Sequence, residues 1–127
     1  MQVTSRLEAL QKILERITKE GSLKACVVSS IEGFVVASAE SPEIDKKIAA
    51  AIASFAFSAA KRTKSELGLG NLSDVLIRCT EGKVVFKAVE VSSNESFILS
   101  AIIPPSTRYY NRIINMAAKE IKSLFSK

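Results

Sequence analysis

The stretch Leu23-Lys-Ala-Cys-Val-Val-Ser-Ser-Ile-Glu-Gly-Phe-Val-Val-Ala-Ser38 holds two β-prone apolar runs, Leu23 to Ser30 and Phe34 to Ser38, separated by Glu32-Gly33. Valine packs well on a pleated surface and Glu-Gly supplies turn chemistry, so the stretch predicts a β-hairpin. Downstream, Pro42 blocks an earlier helix start, and Glu43 to Leu67 is rich in alanine, lysine, isoleucine and serine before Gly68-Leu-Gly70. That run predicts a helix of about six turns closed by a glycine cap. Three further β-prone runs follow, Asp74 to Thr80, Lys83 to Val91 and Ser96 to Ile103, joined by Glu81-Gly82 and by Ser92-Ser93-Asn94. Short polar turns of this kind predict an antiparallel meander. Pro104-Pro105 ends it, and Ser106 to Phe125 predicts a closing helix with the stripe Tyr110, Ile114, Ala117, Ile121 and Leu124. Upstream of the hairpin, Val3, Leu7, Leu10, Leu14 and Ile17 recur at steps of four and three. They predict an amphipathic helix over Val3 to Lys19, with Ser5 and Glu8 as a capping box and Gly21 as its stop. The order αββαβββα, free of repeats and linkers, predicts one α+β domain over residues 1–127. A five-stranded antiparallel sheet with helices on both faces is the economical architecture.

The middle helix has more apolar surface than one sheet can bury. On a helical wheel, Ile44, Ile48, Ile52, Phe55 and Ala59 form one stripe, which is expected to cover the sheet. Ala49, Ala53, Ala56, Phe57 and Ala60 fill the neighbouring arc, and Lys47, Ser54, Ser58, Lys61 and Ser65 form the polar arc. Small side chains let another backbone approach closely, so the second arc is the expected surface for self-association.

Composition narrows the chemistry. The 127 residues are 47% hydrophobic and 24% charged, a balance that supports a packed core. Zero histidines exclude Ser-His-Asp, Cys-His and histidine-metal chemistry, so neither a catalytic nor a metal site is expected. No GxxxxGK[ST] or GxGxxG loop is present, and Gly68-Leu-Gly70 sits at a helix C-terminus, where the dipole disfavours phosphate; no cofactor is expected. Cys26 and Cys79 are too far apart in sequence for a CxxC motif, and both are expected to be small buried hydrophobes in a reducing, cytoplasmic setting. The N-terminus lacks a basic-then-apolar signal pattern, and no membrane span is expected.

The hairpin stretch above, the small-residue helix ending Glu66-Leu-Gly-Leu-Gly70 and the meander opening Leu72-Ser-Asp-Val-Leu-Ile-Arg together resemble the roadblock family. This is the fold of dynein light-chain roadblock subunits and of their stand-alone prokaryotic relatives, akin to profilin-like and longin folds. One departure is Ala25, where members often carry glycine. The resemblance implies a homodimer, or a heterodimer with another roadblock subunit, in which the middle helices pair and the third strands join edge to edge. Val75 and Ile77 on that strand then join Ala49, Ala53, Ala56, Phe57 and Ala60 at the interface. It further implies a non-catalytic scaffold that binds a Ras-like small GTPase and modulates its nucleotide hydrolysis. The expected partner contact is the polar arc, Lys47, Ser54, Ser58, Lys61 and Ser65.

A rival reading comes from charge. The net charge is +5, and from Pro104 onward Arg108, Arg112, Lys119, Lys122 and Lys127 stand against Glu120 alone. Arg108, Arg112, Lys119 and Lys122 share one arc of the predicted closing helix. They make Arg108 and Arg112 second candidates for a partner contact, and define the alternative of a basic adaptor for nucleic acid or an anionic membrane surface. Absence of tryptophan and of any stacking motif lowers the nucleic-acid option.

Overall fold

The structure, a computed structural model, describes the backbone of residues 3–126 and the side chains of residues 5–126. Its elements are α1 (Val3–Glu20), β1 (Ala25–Ser30), β2 (Val35–Glu40), α2 (Lys46–Glu66), β3 (Asp74–Cys79), β4 (Gly82–Glu90), β5 (Ser96–Ile103) and α3 (Asn111–Phe125). The strands form one antiparallel sheet in the order β2-β1-β5-β4-β3, so β2 and β3 are its edges. The fold class and element order are those read from the sequence.

Strand alternation sorts the side chains between two layers. Cys26 and Val28 of β1 and Leu99 and Ala101 of β5 face α1 and α3, where Leu10, Leu14, Ile17, Ile114 and Ile121 complete the larger core. An Arg16–Glu120 ion pair ties the two helices together. Ile98 of β5 and Phe86 of β4 face α2, where Ala53 and Phe57 close a smaller core. Burying phenylalanines such as Phe57 and Phe86 is worth roughly 1.5–3 kcal/mol each, enough to hold α2 on the sheet.

Helix ends follow local chemistry. Asp45 caps α2, its carboxylate accepting from the Lys47 and Ile48 amides at 2.9 and 3.2 Å. At the other end Leu69 N–H donates to Lys64 O at 2.9 Å and Gly68 N–H to Ser65 O at 3.4 Å, a Schellman closure that needs the positive φ of 62° held by Gly68. Helix starts depart from the expectation, and α2 begins at Lys46 and not at Glu43, because Asp45 caps it. Val3 is already helical, so Ser5 lies within α1 and does not cap it; the Val3 side chain lies outside the described residues. The closing helix begins at Asn111 and not at Ser106, because the segment after Pro104-Pro105 turns first, with Thr107 N–H donating to Pro104 O and the Thr107 hydroxyl to Ser22 O. Tyr110 is therefore the residue before the helix, buried beneath Lys83, whose ammonium lies 5.0 Å from the ring centroid.

Candidate functional site

A surface groove lies between α2 and the open edge at β3. It holds about 560 Å³ and is floored by Val84, Ser100 and Ile102 and walled by Ile48, Ala49 and Ile52 on one side and Ile77 on the other. A second hollow continues it, between Ala56 and Ala60 of α2 and Leu72 and Val75. Ile48, Ile52 and Phe55 are 58%, 49% and 79% exposed. Leu76 and Ile77 on β3 are 45% and 40% exposed, and no strand lies beyond them. Large apolar side chains left open along a helix and an adjoining strand edge mark a surface built to be covered.

The two apolar arcs of α2 are exchanged relative to the sequence expectation. Ala53 and Phe57, with Ala50, are the residues that rest on the sheet, fully or almost fully buried within the chain's own core. Ile48, Ile52 and Phe55, expected to cover the sheet, face solvent. Small residues at 50 and 53 let α2 settle close above β1, and the single large ring of Phe57 fills the space beside Phe86 and Ile98. Ala49, Ala56 and Ala60 lie half-buried on the flank that lines the two hollows. Val75 is half-buried against the Phe57 cluster, while Ile77 opens into the groove. Of the residues expected at an interface, Ala53 and Phe57 are thus occupied internally, while the exposed apolar residues Ile48, Ile52 and Phe55 lay outside that expected set. Both arcs repeat apolar residues at helical spacing and both run into a charge, at Arg62 and at Lys64, so the sequence carries no local signal that separates them.

The polar arc is where the wheel puts it. Lys47, Ser58, Lys61 and Ser65 are exposed on the flank of α2 away from the groove. Ser54 is different: its hydroxyl donates to Ile31 O, so it serves the turn between β1 and β2. Arg112 lies on α3, across the sheet from α2, and Arg108 in the segment leading to it; neither joins the α2 surface. Because Arg108 precedes the helix, the basic arc of α3 is reduced to Arg112, Lys119 and Lys122, and Lys127 lies outside the described residues.

Lys24, Glu43, Asp45, Cys79, Glu81 and Lys83 also line the groove. Glu43 at its mouth is held below the usual carboxylate range, chiefly by its own backbone N–H. Cys26 is buried and its thiol is pushed up to about 11 by burial. Cys79, expected to be buried, is exposed within the chain, because it ends an edge strand of the sheet. Among the described residues no three His, Cys, Asp or Glu side chains cluster in a metal-binding arrangement. Nor is any described helix long and apolar enough to cross a membrane.

A five-stranded sheet with one helix on one face, two on the other and an open third strand defines a roadblock-type fold. Residues 9–102 match the Roadblock/LC7 domain model, and the chain belongs to that family. Its relatives include the uncharacterized protein MJ1340 of Methanocaldococcus jannaschii, 29% identical over 117 residues that cover 91% of this chain and 99% of that protein. Myxococcus xanthus MglB superposes with a TM-score of 0.83 at 17% identity, over 94% of this chain and 89% of that one. A structure described as MglB with tetrameric arrangement superposes with a TM-score of 0.82 at 13% identity, over 94% and 90%.

Proposed function

We propose that this chain is a non-catalytic, dimeric roadblock regulator that binds a Ras-like small GTPase in the cytoplasm and modulates its nucleotide hydrolysis. The observation that carries the reading is the juxtaposition of exposed Ile48 and Ile52 with Ile77 on the open edge strand β3 across one groove, with Phe55 exposed nearby on α2. A second copy set against both covers the groove, pairs the edge and leaves Lys47, Ser58, Lys61 and Ser65 free on the opposite flank of α2. The tetrameric arrangement described for an MglB of the same fold supports self-association of such domains. Two such polar flanks, presented by one dimer, form a platform that can favour one arrangement of a GTPase's switch loops by binding it more tightly than the others.

The test is capture of a Ras-like GTPase loaded either with GDP or with a non-hydrolysable GTP analogue. Nucleotide-dependent binding, with hydrolysis changed only when both proteins are present, supports the proposal. Equal binding in both states, together with salt-sensitive binding to anionic vesicles or nucleic acid, replaces it with the basic-adaptor reading carried by Arg112, Lys119 and Lys122.

A further inference from the structure

Strand β3 carries a charge pattern that its own sheet leaves unresolved. Its register with β4 sets Val75 opposite Phe86 and Ile77 opposite Val84 on the α2 face, and Asp74, Leu76 and Arg78 opposite Lys87, Val85 and Lys83 on the other. Asp74 thus meets an opposite charge. Arg78 meets a like charge, an arrangement that opposes sheet pairing. Among the described residues Arg78 forms no ion pair with a carboxylate.

A second copy added at this edge, with both α2 helices on the same side, pairs antiparallel about a two-fold axis. Facing side chains must lie on the same side of the sheet, so the axis passes through a residue and not between two. Centred on Val75, the register sets Asp74 against the partner's Leu76. Centred on Ile77, it sets Leu76 against the partner's Arg78. Each leaves an apolar side chain against a charge. Centred on Leu76, it sets Asp74 against the partner's Arg78 twice, Val75 against the partner's Ile77 twice, and Leu76 against itself.

We infer that β3 is a self-recognition strand, in which Asp74 and Arg78 fix a Leu76-centred register with a second copy of this chain. The inference rests on the dimer proposed above and adds its register.

Light scattering across concentrations tests it with wild type, Asp74→Arg, Arg78→Asp, their equimolar mixture and the double exchange Asp74→Arg/Arg78→Asp. Each single reversal turns two attractive pairs into two repulsive ones and should raise the dimerisation midpoint about tenfold or more. The mixture restores both attractions and should form heterodimers, and the double exchange should return to the wild-type midpoint. Both side chains are exposed on an edge strand, so the fold should persist, checked by circular dichroism. In a Cys79→Ser background, Leu76→Cys should form an interchain disulfide, whereas Asp74→Cys should not, its mate lying about 13 Å away along the strand. A monomeric wild type overturns both the dimer and the register. A wild-type dimer whose midpoint ignores both reversals, whose variants fail to combine, or which crosslinks through Asp74→Cys overturns the register alone.

Discussion

The Ser54 hydroxyl donates a 2.6 Å hydrogen bond to the carbonyl oxygen of Ile31, joining the middle of α2 to the turn between β1 and β2. Gly33 makes this approach possible. Its φ is 99°, and a Cβ there would stand 3.3 Å from the Ser54 Cβ. Ser54→Ala should therefore lower unfolding stability by about 1 kcal/mol while leaving partner affinity unchanged, read by denaturant melts beside a binding titration. Gly33→Ala should cost more, because strain at a positive φ adds to the contact with Ser54.

The exchange of apolar arcs on α2 separates folding from assembly. Ala53 is buried between helix and sheet, so Ala53→Glu places an unpaired carboxylate in the core and should cost several kcal/mol, abolishing the cooperative melt. Ile52→Glu lies on the exposed flank and should leave the monomer folded while reducing the mass measured by light scattering to that of one chain. If Ile52→Glu remains dimeric at micromolar concentration, the groove beside β3 is not the interface.

Much of this was legible because it is local. The β1–β2 hairpin follows from valine runs around Glu32-Gly33, the end of α2 from Gly68, and the exposed flank of α2 from the spacing of Lys47, Ser58, Lys61 and Ser65. The arc of α2 that meets the sheet is a tertiary property. It depends on how closely the helix can settle over β1 and on whether one ring fits beside Phe86 and Ile98, which no periodicity encodes. Cys79 was misread for a related reason. The nearby Val75-Leu-Ile77 run suits a strand, and the resemblance already implied that this strand is an edge, but the burial expected of a cysteine was not weighed against that edge position. Ser54 belongs to the polar arc by spacing and to the hairpin by hydrogen bond.

The two cysteines should behave oppositely. Cys26 is buried within its own chain, so alkylation of the native protein should spare it, whereas Cys79, which lines the groove that a second copy would cover, should label faster in the monomeric Ile52→Glu variant than in the dimer; unfolding should expose both sites, counted by mass spectrometry. Burial holds the Cys26 proton to about pH 11, against an ordinary value of 9.0. Between these values the unfolded chain loses this proton and the folded chain keeps it, so the stability contribution is complete below about pH 9 and is lost as pH approaches 11. At most ~3 kcal/mol is involved. Cys26→Ala should flatten the decline over that window.

On the proposed dimer, the contact expected for a GTPase falls on α2. Lys47, Ser58, Lys61 and Ser65 occupy the flank of α2 that a partner copy at the groove leaves free, whereas Arg112 lies on α3 across the sheet and Arg108 precedes that helix. One GTPase reading the α2 platform cannot also depend on the α3 surface of the same chain, because the sheet separates them. Lys61→Glu, a charge reversal at an exposed helix position, should therefore weaken binding about tenfold without changing dimer mass, while the Arg108→Glu/Arg112→Glu pair should leave affinity within about twofold. Arg62→Ala should change partner hydrolysis little, since an exposed arginine beside Lys61 is ordinarily a solvated charge and not a group inserted at the transition state. Calorimetric titration of each variant decides the matter: full affinity in Lys61→Glu with loss in the Arg108 and Arg112 pair moves the contact to the α3 side and removes α2 from the partner interface.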